Sequence, residues 1–244
     1  MSTDQSPSKV KEETDVSPVP QDLRLILLAP PGAGKGTQSR ILSRLHKIPH
    51  IETGAILRHE IREESELGLK AKKYTDTGDL VPDELIVKIV RNRLEAPDCE
   101  SGFILDGFPR TVPQAQELEF IFQESEHEID AVVFLDVSDE EIFKRLTKRR
   151  ICSACGKTYH LKVKPPKEEG ICDDCGSELI RREDDYRESI EHRLDVYRDM
   201  TEPLLDFYQD RGLLVSVNGE QSIQTVNQEI TKKLKSEVLS QAGG

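Results

Sequence analysis

Two groups of residues in this chain have types and spacings that can do chemistry. The first is Gly32-Ala33-Gly34-Lys35-Gly36-Thr37, entered through Ala29-Pro30-Pro31 and followed by the helix-compatible Gln38-Ser39-Arg40. Glycines in such a run let successive backbone N–H groups turn inward around phosphate oxygens. The helix N-terminus behind them adds partial positive charge, and the lysine reaches the outer phosphates. The run reads as a phosphate-binding loop, with Ala29 where a glycine is usual and an extra glycine ahead of Thr37. The second group is Cys152-x2-Cys155 and Cys172-x2-Cys175, with 16 residues between the pairs. Two such knuckles aim four thiolates at one ion. A closed set of four sulfurs leaves no open position for catalysis, so one structural Zn²⁺ is expected. Cys99 stands apart and reads as an ordinary thiol.

A phosphate loop alone specifies only a nucleotide. Phosphoryl transfer also needs positive charge around the moving group and an acceptor held in line. Asp106-Gly107-Phe108-Pro109-Arg110 directly follows the apolar run Phe103-Ile104-Leu105. Asp106 and Arg110 are therefore expected at the carboxyl end of a strand, where α/β sheets bind ligands, with Asp106 suited to orient water around Mg²⁺. Arg145 and Arg149 are four apart and expected on one face of a single helix. Arg182 and Arg193 lie beyond the cysteine-rich stretch, so these four arginines bracket it. No general base is evident, and none is needed where the acceptor is an ionised phosphate oxygen.

These residues need a scaffold. Leu25-Ile26-Leu27-Leu28, Phe103-Ile104-Leu105, Val132-Val133-Phe134-Leu135 and Leu213-Leu214-Val215 are continuous apolar runs separated by helical stretches. That pattern predicts parallel strands covered on both faces, an α/β fold. Thr111 with Gln114, and Ser138 with Glu141, fit capping boxes that start helices after two of the strands. About Thr53 to Pro82 reads as short helices inserted before a helix that begins near Asp83. About Lys148 to Asp185, rich in Cys, Gly, Pro and charge, reads as a second insertion. Residues 1–21 hold almost no large apolar side chain and are expected to be a disordered tail. No apolar run approaches the ~20 residues that span a bilayer, and the start lacks a signal or transit pattern, so the expectation is a cytoplasmic protein. A net charge of -12 disfavours a polyanion as main partner.

The resemblance to adenylate kinases is close across about Leu23 to Leu239. It rests on Pro31-Gly32-Ala33-Gly34-Lys35-Gly36-Thr37, Thr53-Gly54 before Leu57-Arg58, Leu80-Val81-Pro82-Asp83-Glu84, Asp106-Gly107-Phe108-Pro109-Arg110-Thr111, Pro165-Pro166-Lys167 and Arg182-Glu183-Asp184-Asp185. The resemblance is to the long-lid, zinc-binding type. It implies a P-loop core (22–51, 82–147 and 186–244, ending in a C-terminal helix) with a five-stranded parallel sheet, a helical AMP-binding insertion (52–81) and a zinc-ribbon-like lid (148–185). It implies transfer between Mg-ATP and AMP giving two ADP, with Lys35, Arg110, Arg149, Arg182 and Arg193 catalytic. ATP would meet Gly32 to Thr37, Arg145, Arg149, Tyr159 and His160, with Arg145 and His160 flanking its adenine. AMP would meet Thr53, Gly54, Arg58, Leu80, Val81, Gly107, Arg110, Gln114, Arg182 and Arg193. The expected protein is a monomer without nucleic-acid or membrane partners. Departures are Ala29, Ala55 where Asp is common, and Val163 where an aromatic is common. Two alternatives stay open on sequence. One is another nucleoside monophosphate kinase or a GTP:AMP phosphotransferase, which would differ in base contacts. The other is a zinc-ribbon module that uses nucleotide as a switch on nucleic acid, although 148–185 carries nine Lys/Arg and eight Asp/Glu rather than a basic stripe.

Overall fold

The computed structural model describes residues 22–77, 79–125 and 127–241, so the expected tail at 1–21 lies outside the described residues. The chain runs β1 (Arg24–Leu28), α1 (Lys35–His46), β2 (His50–Glu52), α2 (Thr53–Arg62), α3 (Glu66–Thr77), α4 (Asp83–Leu94), β3 (Phe103–Asp106), α5 (Val112–Ser125), β4 (Ala131–Asp136) and α6 (Asp139–Thr147). It continues through β5 (Arg149–Cys152), β6 (Thr158–His160), β7 (Leu179–Ile180), α7 (Arg187–Val196), α8 (Leu204–Gln209), β8 (Leu214–Asn218) and α9 (Ile223–Gln241). Among the described residues no helix is long and apolar enough to cross a membrane.

Five strands form one parallel sheet in the order β2-β3-β1-β4-β8. Its central strand explains why the apolar runs are continuous rather than alternating. Leu25 and Leu27 point into one buried cluster with Leu42 of α1, Ile142 of α6, Ile190 of α7 and Ile230 of α9. Ile26 and Leu28 point into another with Ile86 of α4, Leu118 of α5 and Leu204 of α8. Helices cover both faces, and each such side chain fully removed from water contributes about 1.5–3 kcal/mol. The edge strand β2 has only one fully buried residue, Ile51, between His50 and Glu52. Its mixed composition is why the apolar pattern did not announce it.

The insertion after β2 holds α2 and α3. The second holds β5, β6 and β7, a small antiparallel sheet in the order β6-β5-β7. The Thr111 capping box forms in a variant: the Gln114 N–H donates to Thr111 Oγ1 (3.2 Å), while Gln114 Oε1 accepts from the Arg110 N–H (2.7 Å) instead of from Thr111. The box expected at Ser138 does not form. Glu141 pairs with Arg145 along α6 (2.8 Å), and the Ser138 hydroxyl donates to Glu220 (2.5 Å). Arg149 is not on α6 either. That helix ends at Thr147, and Arg149 opens β5, where pairing with His160 across the small sheet fixes an extended backbone.

Candidate active site

One cleft of about 1420 Å³ opens at the carboxyl ends of β1 and β3, and it is lined by every residue expected to meet nucleotide or Mg²⁺. Its floor is the turn from β1 into α1. Gly32 there has φ +82°, and a Cβ on it would come within 2.6 Å of Leu146, so neither conformation nor space suits a larger residue. Ala29 has no positive φ and sits buried at the end of β1, so alanine fits the usual glycine position. The Lys35 ammonium donates to the carbonyls of Ala29 (2.6 Å) and Pro30 (3.4 Å). Burial lowers the Lys35 pKa from 10.5 to about 8; Asp106 opposes that fall, and Arg110 and Arg193 add to it. Arg145 spans the loop from the far side, donating to Ala33 O and to Gly219 O (both 2.9 Å).

On the β3 side, Asp106 ends its strand almost fully buried. Its Oδ2 faces His50 Nε2 (3.0 Å) and accepts from Ser39 Oγ (3.4 Å). Burial works to raise the Asp106 pKa. The hydrogen bond from His50 and the charges of Lys35 and Arg110 outweigh it and hold the carboxyl below its ordinary value. Thr53 donates to Gly107 O (2.9 Å), and so does Arg110 Nε (2.9 Å). Arg58 pairs with Glu52 at 2.5 Å, and Ala55 brings no carboxylate. Leu80 and Val81 line the same wall. The Gln114 amide donates one N–H to Asp83 Oδ1 (2.6 Å) and accepts one from Arg110, which leaves one N–H and one lone pair for another group.

The remaining arginines converge from three elements. Arg149 at the start of β5 forks onto Asp185 (2.8 and 2.5 Å). Arg182 reaches Asp184 at 2.5 Å, and Arg193 of α7 reaches Asp184 at 3.0 Å. Burial lowers the pKa of Arg110 and Arg193, and that of Arg182 to about 10, with neighbouring arginines adding to the effect. Guanidinium groups do not give up their proton in proteins. Lys35, Arg110, Arg149, Arg182 and Arg193 set five positive charges against the three carboxylates of Asp106, Asp184 and Asp185, and a polyanion would balance the excess. His50 and Glu52 carry no motif in the sequence, and Asp184 and Asp185 enter it only as part of the Arg182-Glu183-Asp184-Asp185 run, with no partner assigned. Acidic residues in sequence usually mark solvated surface, and only the packing reveals these facing arginines.

Over the cleft, the sulfurs of Cys152 and Cys175 stand 3.3 Å apart, those of Cys155 and Cys172 stand 3.6 Å apart, and all four lie within 4.8 Å of one another. A tetrahedron with ~2.3 Å zinc–sulfur bonds has edges of about 3.8 Å, so the set fits zinc, and no pair is near the ~2.05 Å of a disulfide. The hydroxyl of buried Tyr159 accepts the Asp173 N–H (2.7 Å) and lies 3.4 Å from Cys172 Sγ. A zinc-bound thiolate at Cys172 would accept from this hydroxyl, which would then support the ligand. His160 Nδ1 accepts from the N–H groups of Lys162 and Val163, tightening the lid's turn. Val163 is 70% exposed.

A family model described as adenylate kinase matches residues 27–213. Curated relatives carrying that same name include one from Oceanobacillus iheyensis, 52% identical over 213 residues that make up 87% of this chain and 99% of the relative. One from Archaeoglobus fulgidus is 50% identical over 88% of this chain and 100% of its own. One from Caldicellulosiruptor saccharolyticus is 49% identical over 87% and 99%.

Proposed function

This chain belongs to the adenylate kinase family and is a nucleoside monophosphate kinase, and from that premise we propose that it moves a phosphoryl group reversibly between Mg-ATP and AMP, giving two ADP. The observation that carries this reading is the convergence of Lys35, Arg110, Arg149, Arg182 and Arg193 on one cleft whose buried positive charge exceeds its own carboxylates. Lys35 and the N–H groups from Gly32 to Thr37 hold the donor phosphates, while Arg145 and His160 flank the donor base. Arg58 and Arg110 hold the acceptor phosphate. Thr53, Gly54, Leu80, Val81, Gly107 and Gln114 surround the acceptor nucleoside.

An AMP phosphate oxygen attacks the γ-phosphorus as the bond to the β–γ bridging oxygen breaks, and that oxygen leaves as part of ADP. The nucleophile is already ionised, so the work is electrostatic: the arginines offset repulsion between two anions and the charge on the equatorial oxygens. Asp106, ionised and next to the loop, fits the water shell of Mg²⁺, which neutralises charge on the donor phosphates when bound. The 148–185 insertion, stapled by one zinc on Cys152, Cys155, Cys172 and Cys175, covers the site and keeps water from taking the phosphoryl group. Coupled detection of ADP from ATP plus AMP, repeated with UMP, CMP and GMP as acceptors and GTP as donor, tests the reading. ADP formed fastest from ATP and AMP supports it. No transfer, or a preference for another pair, would overturn it.

A further inference from the structure

Glu52 sits where no step of the transfer asks for a carboxylate. It ends β2 at the carboxyl edge of the sheet, directly across from Asp106 in the parallel register. Arg58, six residues on in α2, folds back across Gly54 to meet it: Nη2 lies 2.5 Å from Glu52 Oε1. A Cβ on Gly54 would stand 2.9 Å from Arg58 Nη1, so the glycine makes room for this return. Both partners are partly exposed, at 41% for Arg58 and 33% for Glu52. The guanidinium is thus neutralised from within the chain at the mouth of the acceptor half of the cleft.

We infer that Glu52 is the resident counter-ion of Arg58, a positioning residue that sets how weakly the acceptor phosphate is held. The inference rests on the reading of Arg58 as a ligand of the AMP phosphate. An incoming phosphate dianion must share Arg58 with a fixed carboxylate or displace it, and in either case the two negative groups face each other across one cation. Three donors remain on the guanidinium beyond its Nη2 group, so geometry permits sharing. The charge balance does not favour it, because the two positive charges of Arg58 and Arg110 then serve three negative ones. The cost falls mainly on acceptor binding, because Arg58 has no part in holding the donor and Glu52 is the weakest of the charges acting on Lys35. For partly exposed groups such an ion pair is worth about three- to fivefold in a binding constant.

The test uses the zinc-loaded full chain. Glu52→Gln is expected to lower KM for AMP about three- to fivefold, with kcat and KM for ATP moving less than about twofold. Glu52→Asp, which keeps the charge, should restore KM for AMP to within about twofold of wild type. In an Arg58→Ala background, Glu52→Gln should change KM for AMP by less than about twofold, because the cation through which it acts is gone. An unchanged or raised KM for AMP in a Glu52→Gln protein with native circular dichroism would overturn the inference, as would an undiminished effect without Arg58. If the wild-type chain forms no ADP, the functional reading fails and takes this inference with it. ADP formation with an unmoved KM defeats the inference alone.

Discussion

Lys35 stands in conflict between two environments. Burial discharges it toward a pKa of about 8, whereas a nucleotide phosphate would favour its charged form. Above pH 8 the free protein must therefore take up a proton as nucleotide binds. The Kd for ATP is expected to rise with pH through the window from 8 to 10.5, approaching about tenfold per pH unit where the neutral amine dominates. The stability sign is opposite. A folded pKa of about 8 against 10.5 in the unfolded chain means the unfolded state binds more protons in that window, so this group's contribution to stability improves as pH rises. Calorimetry of ATP binding at pH 8.5 in two buffers of different ionisation enthalpy reads the proton uptake. Equal apparent enthalpies, with a Kd flat from pH 7 to 9.5, would contradict the assignment. At this scale the sequence announced the cations and concealed their counter-ions. Lys35 and Arg110 sit in motifs that name their chemistry, while Asp184, Asp185 and Glu52 acquire meaning only when folding sets them against Arg193, Arg149 and Arg58.

At the scale of elements, legibility followed burial. The strands β1, β3 and β4 were evident because both faces are covered and their runs are unbroken, whereas β2 has one buried residue and was silent. The placement of Arg149 on a helix failed for a related reason. A spacing of four is a helical signal only if the helix continues, and here antiparallel pairing with β6 takes over at the border of the lid. The lid itself has little apolar core: its buried cluster is Cys152, Tyr159, Cys172 and Leu179, two of which belong to the four-cysteine set. So small a cluster is a weak core for a three-stranded sheet, and the proposed zinc would supply the cross-link it lacks. Elemental analysis should find one zinc per chain. Its chelation should lower the melting temperature by about 5–10 °C and open 152–180 to proteolysis while the parallel sheet stays protected. Metal-free protein of unchanged melting temperature and protease pattern would defeat this account.

At the scale of the whole molecule two fields compete for the same anionic substrates. The net charge of -12 repels them at a distance, and the arginine cleft attracts them at contact. If the global field governed encounter, added salt would screen repulsion and raise kcat/KM. If the cleft governs, salt would screen attraction and lower it. Screening lengths decide between them. At physiological ionic strength the Debye length is about 8 Å, so charges spread over the surface are already muted at the cleft mouth. The arginines line the cleft itself, so an approaching phosphate feels their focused field within a screening length of the mouth, and added salt weakens that attraction. Raising KCl from about 150 to about 500 mM, with free Mg²⁺ and nucleotide complexation held constant, is therefore expected to lower kcat/KM for both substrates. AMP should be the more sensitive, because Arg58, assigned to its phosphate, is 41% exposed, whereas Arg145 and Arg149, assigned to ATP, are 22% and 19% exposed. A kcat/KM that climbs with salt would mean that the acidic surface, and not the cleft, controls substrate capture.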